Sequence, residues 1–191
     1  CERQVGLLRP WGHDAWSAAA GARLLVIPDH YAEVCHVYTP DGLPGEQISY
    51  TQIGDVLALH GIAVERSGGP AGLRDAAVLP DGDVAVLIAG PGQDAILKVA
   101  ADSSLSLLAT GFDSSARGDD TGHTRLAAGG NPSRLVVSSL YPVGVAVFDL
   151  EGVFQHNLDL PQRPCGLAFA PRDTRLFVLY PDGAVVVHPD V

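Results

Sequence analysis

The chain has 191 residues, which lies within the size range of a single domain. Hydrophobic residues make up 47% of it and charged residues 18%, and it contains 22 glycines and 14 prolines. This composition favours short strands joined by tight turns, and it excludes a disordered chain or one built of long helices. The formal net charge of −10 at pH 7 argues against nucleic-acid and anionic-lipid partners, since both would be repelled. No apolar run reaches the about 18 residues that indicate a transmembrane helix.

The chain begins with a cysteine and contains no methionine. A cysteine at the first position resembles the processed bacterial lipoproteins, in which a signal peptide is cut before a cysteine that carries lipid. The resemblance implies a lipid anchor on Cys1 and an extracytoplasmic location, either periplasmic or at the cell surface. A trimmed fragment, or removal of an initiator methionine, stays open as an alternative.

The other two cysteines, Cys35 and Cys165, are predicted to be free thiols. They fall on predicted strands of neighbouring sheets that are separated by more than the span of a disulfide. We expect both side chains to be buried, as cysteines commonly are.

The first group of predicted strands covers residues 12–52 and contains the turn signal Pro40-Asp41-Gly42. Its four strands are Asp14–Ala20, Ala22–Ile27, Val34–Thr39 and Glu46–Thr51. Residues 53–70 follow, and we interpret them as an inserted hairpin in which two apolar strands flank His60-Gly61, or as a long final strand. Those two strands are Val56–Leu59 and Ile62–Glu65.

Three further groups cover residues 72–111, 122–160 and 163–191. The strands of the second group are Asp75–Leu79, Asp83–Ile88, Ala95–Ala100 and Leu105–Thr110. Those of the third are Thr124–Ala128, Arg134–Ser139, Val145–Leu150 and Phe154–Leu158. The last group has three strands, Cys165–Ala170, Arg175–Tyr180 and Ala184–His188, which are separated by Pro171-Arg172-Asp173 and Pro181-Asp182-Gly183.

The second strand of every group repeats one pattern, a polar residue followed by Leu or Val, any residue and then Val. The four copies are Arg23-Leu24-Leu25-Val26, Asp83-Val84-Ala85-Val86, Arg134-Leu135-Val136-Val137 and Arg175-Leu176-Phe177-Val178. The last group lacks a fourth strand, whereas the segment 2–9 has no strand before it. We therefore predict that residues 2–9 pair outside the strand 184–188 and close the four groups into a ring.

The last group also contains a sequence motif. Its members are Pro164, Gly166, Ala168, Pro171, Leu176 and Val178. The phrase resembles the repeats of NHL, YVTN and WD-type β-propellers, with Arg172-Asp173 in place of their usual Asp-Gly. The resemblance implies an all-β fold, a four-bladed β-propeller of four-stranded antiparallel blades in which the N-terminal strand completes the last blade. A piece of a larger propeller is the alternative, and the fold by itself does not specify an activity.

The resemblance also implies where a ligand would lie. In propellers, the loops that enter the innermost strands and those that join the second and third strands share one face. Counting back from the repeated second strand, with one extra turn residue in the last two groups, places Arg74, Thr124 and Cys165 at one position together with Asp14. The preceding position holds His13, Leu73, His123 and Pro164.

His13 and His123 fall on opposite sides of the predicted ring and are the candidate metal ligands, since Asp119-Asp120 lacks the alternating acidic pattern of a calcium loop. Because Leu73 and Pro164 add no ligand, the sequence predicts neither a dedicated metal site nor a cofactor. The alternative is that each histidine caps a strand after a glycine turn.

Tyr31 recurs as Tyr141 and Tyr180 at comparable turns, and aromatic groups with a polar tip favour interfaces. The predicted binding residues are Trp11, His13, Tyr31, Arg74, Asp75, His123, Tyr141, Arg163 and Tyr180.

Local catalytic motifs are absent: the chain has no G-x-S-x-G, H-E-x-x-H, phosphate loop or C-x-x-C. We therefore assign no catalytic residue. The sequence favours a non-catalytic extracytoplasmic binding or scaffold protein, which contacts a partner protein, for example in a membrane-associated complex, or a small polar ligand. Two alternatives remain open: a lyase- or lactonase-like enzyme with its site at the mouth of the channel, and a metal or cofactor carrier using His13 and His123.

Overall fold

The computed structural model describes residues 19–20, 25–29, 34–39, 41–62, 72–89, 94–112, 125–139, 143–170, 174–189 and 191. Within these residues lie fifteen strands and one helix. The strands form three sheets of four and one sheet of three, and in each sheet neighbours in the chain are neighbours in space. Every described strand pair is antiparallel.

Blade 1 is the sheet formed by the N-terminal part of the described chain. Its strands are β1 (Ala19–Ala20), β2 (Leu25–Asp29), β3 (Val34–Tyr38) and β4 (Pro44–Ser49). Burial alternates along β3, where Cys35 and Val37 are buried and His36 between them is half-buried. The alternation follows from the strand geometry, because successive side chains point to opposite faces of a sheet.

A helix, α1 (Tyr50–Leu59), follows β4 directly. The prediction of a hairpin over residues 53–70 is therefore wrong where the chain is described, since the predicted strand Val56–Leu59 is helical; residues 63–70 lie outside the described part. The predicted strand Glu46–Thr51 also ends earlier, at Ser49.

The helix begins at a capping box. The Ser49 hydroxyl accepts a hydrogen bond from the Gln52 amide at 3.3 Å, and the Gln52 side-chain oxygen accepts one from the Ser49 amide at 2.7 Å. These bonds satisfy backbone donors that the first helical turn leaves unpaired. The helical spacing brings Ile53 and Leu57 to one face, where both are buried in the core shared by blades 1 and 2.

Blades 2 to 4 agree with the predicted strands to within three residues at each end. Blade 2 consists of β5 (Gly72–Val78), β6 (Val84–Ala89), β7 (Ala95–Val99) and β8 (Leu105–Thr110). Blade 3 consists of β9 (Leu126–Gly129), β10 (Arg134–Ser139), β11 (Gly144–Phe148) and β12 (Phe154–Asp159). Blade 4 consists of β13 (Gly166–Phe169), β14 (Leu176–Leu179) and β15 (Val185–His188).

The blades pack face to face. On β6, Val84 and Val86 face blade 1, whereas Ala85 and Leu87 face blade 3. On β10, Val136 faces blade 4 and belongs to a third apolar cluster. Burial of both faces explains why these strands are continuous apolar runs, and sheets stacked in this way form a β-propeller. The predicted closure of a four-bladed ring depends on residues 2–9, which lie outside the described residues, so closure stays a prediction.

One turn recurs between the strands. The Asp81 carboxylate accepts a hydrogen bond from the amide two residues on, as do Asp102 and Asp182, at 3.0 Å in each case. The residue after each aspartate has a positive φ: 88° at Gly82, 64° at Ser103 and 86° at Gly183. The predicted turn Pro181-Asp182-Gly183 is therefore confirmed.

Two glycines should respond to alanine in opposite directions. A Cβ would meet nothing within 4 Å at Gly183 or at Gly54 in α1, so only the backbone conformation decides. Gly183→Ala should lower the free energy of unfolding by about 1 kcal/mol, because its positive φ strains an L-residue. Gly54→Ala should raise it by about 1 kcal/mol, because alanine is the better helix former. Urea denaturation followed by circular dichroism measures both, and shifts of the same sign would contradict the assigned conformations.

Burial should make the Cys35 thiol unreactive in the native protein. Cys35 is 1% exposed, and burial raises its pKa from 9.0 to about 12. The native state therefore keeps a proton that the unfolded state loses, so this group's contribution to stability is present below about pH 9 and is lost as the pH rises towards 12. With iodoacetamide at pH 8, Cys35 should react only in urea, whereas the half-buried Cys165 should react in the native protein. Peptide mass spectrometry distinguishes the two, and rapid native labelling of Cys35 would contradict its placement.

Candidate functional site

The two ends of the blades carry different connections. The described second and fourth strands end, and the first and third strands begin, at one end of the blades, which we call the loop face. The turns between first and second strands and between third and fourth strands lie at the other end, which we call the turn face. Charged and aromatic side chains of the loop face include, among the described residues, Arg74, Asp75, Asp94, Arg125, Asp159, Arg163, Tyr180 and Asp182.

Asp75 joins blade 2 to blade 3. Its side chain is buried, and one carboxylate oxygen, Oδ1, accepts the Ala76 amide at 2.9 Å. The other, Oδ2, accepts the amide of Leu126 in β9 at 2.8 Å. Hydrogen bonds to a charged acceptor are the stronger kind, so a single carboxylate links the innermost strands of two blades.

Arg125 makes the corresponding link from blade 3 to blade 4. Its Nε donates to the Cys165 carbonyl at 2.8 Å, and its backbone is held opposite Ser138, whose amide donates to the Arg125 carbonyl at 2.9 Å. Asp75 lies opposite Leu87 on β6, and Leu87 and Ser138 occupy the same position of the repeated second strand. One register position therefore carries both inter-blade links, which we call clasps.

The register predicted from the sequence is confirmed by the strand pairs of blades 2 to 4, but it is wrong in blade 1, where Val26 pairs with Ala19, three residues away from the predicted partner, because the turn between the first two strands is shorter. Val84 pairs with Val78, Leu135 with Ala128 and Leu176 with Phe169, which gives one extra turn residue in blades 3 and 4. The clasps were not predicted, although the predicted alignment, continued by one residue beyond Arg74 and Thr124, puts Asp75 and Arg125 at one position. Only the approach of the next blade's backbone reveals the bonds that these side chains make.

Arg74 lies beside two buried groups. Asp94 is 1% exposed, and Tyr50 at the start of α1 is also buried. Burial lowers the pKa of the Arg74 guanidinium from its ordinary value, while the nearby Asp94 carboxylate and Tyr50 oppose that change. Arginine stays charged under these conditions, so it compensates the buried Asp94.

Arg163 and Tyr180 lie at the loop end of blade 4. Arg163 is half-buried in the segment that enters β13, close to Cys165, whose amide donates to the Leu179 carbonyl at 2.8 Å. Tyr180 is 3% exposed and packs in the apolar cluster between blades 3 and 4 beside Leu160. Burial, and to a lesser extent the charge of Asp182, raises the pKa of the Tyr180 phenol. The Tyr180 ring is thus part of the core beneath the loop face.

Several predicted site residues lie outside the described part of the chain, and their placement stays a prediction. They are Cys1, Trp11, His13, Tyr31, His123 and Tyr141. Within the part that is described, no group of three His, Cys, Asp or Glu side chains is arranged to hold a metal ion. The single described helix is too short to cross a membrane.

The chain matches no protein-family model and no curated protein. Solved structures do match it. The WD40 repeats of RRP9 align over 95% of this chain and 53% of their own, with a TM-score of 0.59 and 14% identity. Virginiamycin B lyase from Staphylococcus aureus aligns over 96% of this chain and 57% of its own, with a TM-score of 0.53 and 12% identity.

The computationally designed Ika4 protein aligns over 100% of both chains, with a TM-score of 0.57 and 14% identity. A Bacteroides caccae protein of unknown function aligns over 93% of this chain and 61% of its own, with a TM-score of 0.54 and 16% identity. The chain thus spans about half to three fifths of the length of these three natural proteins. At these identities the likeness confirms the β-propeller fold predicted from the repeats and says nothing of activity.

Removing the Asp75 clasp should loosen the contact between blades 2 and 3. Asp75→Ala leaves the buried Leu126 amide without an acceptor, which should lower the free energy of unfolding by about 1–3 kcal/mol. Asp102→Ala is the matched control, since the exposed Asp102 carboxylate also accepts one backbone amide, and it should cost less. Urea denaturation compares them, and equal losses would mean that the clasp adds nothing beyond a local turn.

Proposed function

We infer that this β-propeller is a binding module that contacts a partner protein through its loop face and does not catalyse a reaction. The observation that carries the proposal is the role of Asp75. Both of its carboxylate oxygens accept backbone amides, so the group holds two blades together and is poorly suited to act as a general base. The polar groups of the loop face then serve to present a rigid surface.

The arginines of that surface favour a partner segment that carries carboxylates. The acids Asp75 and Asp94 are buried, whereas the guanidinium-bearing residues Arg74, Arg125 and Arg163 are half-buried and lie closer to solvent. Arginine recognises carboxylates through paired hydrogen bonds, and complementary charge speeds the encounter of two proteins. The exposed acids Asp159 and Asp182 also lie at the loop face, so recognition would depend on the positions of the arginines and not on the net charge of that face.

The alternative, a lyase- or lactonase-like enzyme at the channel mouth, has support in fold alone. The similar virginiamycin B lyase shares 12% identity with this chain. The candidate residues for such a site are His13, Asp14, Asp75 and His123; of these, Asp75 lies in the described part of the chain, and it forms the clasp.

The proposed module acts outside the cytoplasm, tethered through a lipid on Cys1 and part of a membrane-associated complex. This part of the proposal rests on the sequence. Mass spectrometry of the N terminus of protein purified from its natural source tests it: a diacylglyceryl mass on Cys1 is expected, and an unmodified cysteine preceded by further residues would overturn it.

A defined acidic probe tests the loop face. We expect a fluorescein-labelled decaglutamate peptide to bind the protein in fluorescence anisotropy, more weakly as salt is added. Arg163→Glu should weaken binding about tenfold, because it reverses one charge of that face. Arg175→Glu is the control, since Arg175 is an exposed arginine beside a turn of the opposite face. Absence of binding, or equal losses in the two variants, would overturn the proposed use of the loop face.

A further inference from the structure

Arg74 occupies an irregular position in the innermost strand of blade 2. On β5, Leu73 pairs with Ile88 of β6 and Asp75 pairs with Leu87, so Arg74 is the extra residue of a β-bulge. The described pairs of the other innermost strands, β1, β9 and β13, show no such shift. A bulge changes the direction of a side chain relative to the regular alternation of a strand, and bulges are frequent next to functional sites.

Two buried polar residues from other elements lie near the Arg74 side chain. Asp94, directly before β7, is 1% exposed, and Tyr50, the first residue of α1, is 8% exposed. The repeat does not contain α1, so the environment of Arg74 is particular to the junction of blades 1 and 2. Segments inserted between regular elements commonly carry binding specificity.

The positive charge of Arg74 is incompletely compensated. Burial lowers the pKa of its guanidinium, and this effect is larger than the opposing effects of Asp94 and Tyr50. Burial of a cation costs free energy that only a nearby anion offsets. Since a guanidinium has five N–H donors and can bind more than one carboxylate, a second carboxylate would be favourable beside Arg74.

The other two arginines of the loop face are placed differently. The Nε of Arg125 donates to the Cys165 carbonyl, so part of that guanidinium belongs to a clasp. Arg163 lies in the segment that enters blade 4, and the exposed acids Asp159 and Asp182 lie at the loop ends of blades 3 and 4. An incoming carboxylate would therefore meet exposed negative charge on that side of the face.

Blade 2 has no such exposed acid among its described residues at the loop end. The acids there are Asp75 and Asp94, and both are buried, whereas Arg74 is half-buried. A carboxylate that approaches this part of the face meets the guanidinium before it meets a negative group.

We propose that Arg74 is the anchor of the loop face and binds a carboxylate side chain of the partner segment. This inference rests on the proposed function and names the position at which the partner is recognised. Because Arg74 is half-buried, a side chain reaches its guanidinium where a backbone would not. The bound carboxylate completes the charge compensation that Asp94 and Tyr50 begin.

Lysine substitution tests the anchor without changing the net charge. The probe is fluorescein-labelled decaglutamate with an amidated C terminus, whose peptide carboxylates are all on side chains. Arg74→Lys should weaken its binding about tenfold in fluorescence anisotropy, because lysine lacks the paired donors of arginine. Arg134→Lys is the matched control: Arg134 is also half-buried, but it lies at the turn face, so the variant should bind as the wild type does.

A second variant tests the anchor in the opposite direction. Asp94→Asn removes the carboxylate that shares the Arg74 guanidinium, so it should strengthen binding of the probe about threefold. A gain of affinity does not arise from a loss of fold, and this variant decides the question if Arg74→Lys does not fold. Circular dichroism and urea denaturation establish the fold of each variant.

The outcomes separate the anchor from the proposed function. A wild type that does not bind the probe would overturn the proposed function and the anchor together. If the wild type binds and Arg74→Lys binds equally well, or if Asp94→Asn binds no more tightly than the wild type, the partner contacts the loop face elsewhere. The assignment of Arg74 alone would then be wrong.

Discussion

Each sheet of this protein has two apolar faces, and both need a neighbour. The second strands of blades 2 and 3 are apolar on either side, so each of these sheets packs on the sheet before it and on the sheet after it. Hydrophobic burial on both faces is what stacks consecutive sheets around a common axis. The valines of β15 in blade 4 are exposed, whereas those of β11, the equivalent strand of blade 3, are fully buried.

Polar contacts between the blades determine how the stacked sheets are positioned relative to one another. Apolar faces can slide against one another, whereas the Asp75–Leu126 and Arg125–Cys165 bonds are directional and fix how the innermost strands of successive blades meet. Because they lie at the loop end, they also stiffen the surface that we assign to partner binding. Asp75 and Asp94 are buried at this end, whereas Arg74, Arg125 and Arg163 are half-buried and share the surface with the exposed Asp159 and Asp182.

The helix α1 shows where sequence patterns mislead. The apolar residues around His60-Gly61 suit two short strands as well as one helix face, since short apolar runs do not distinguish the two periods. The signal that decides between them is Ser49 with Gln52 three residues later, which forms the capping box. Propeller repeats to either side favoured the strand interpretation, and the helix is an insertion that the repeat does not contain. The turn at Asp182-Gly183 could be predicted from the sequence, because its two residues specify it locally. The aspartate side chain accepts a backbone amide, and glycine adopts the positive φ that the turn requires.

The sequence by itself determined the strands of blades 2 to 4, their register and the common position of Asp75 and Arg125. All of these depend on local periodicity and on turn residues that act within a few positions of the chain. Tertiary structure alone decided which backbone each clasp reaches and which apolar residues stay exposed. The Leu126 amide is 51 residues from the carboxylate that it meets, and the exposure of Val185 depends on whether another sheet lies against it. Contacts between distant segments leave no periodic trace in the chain, so they become visible only when the sheets are stacked.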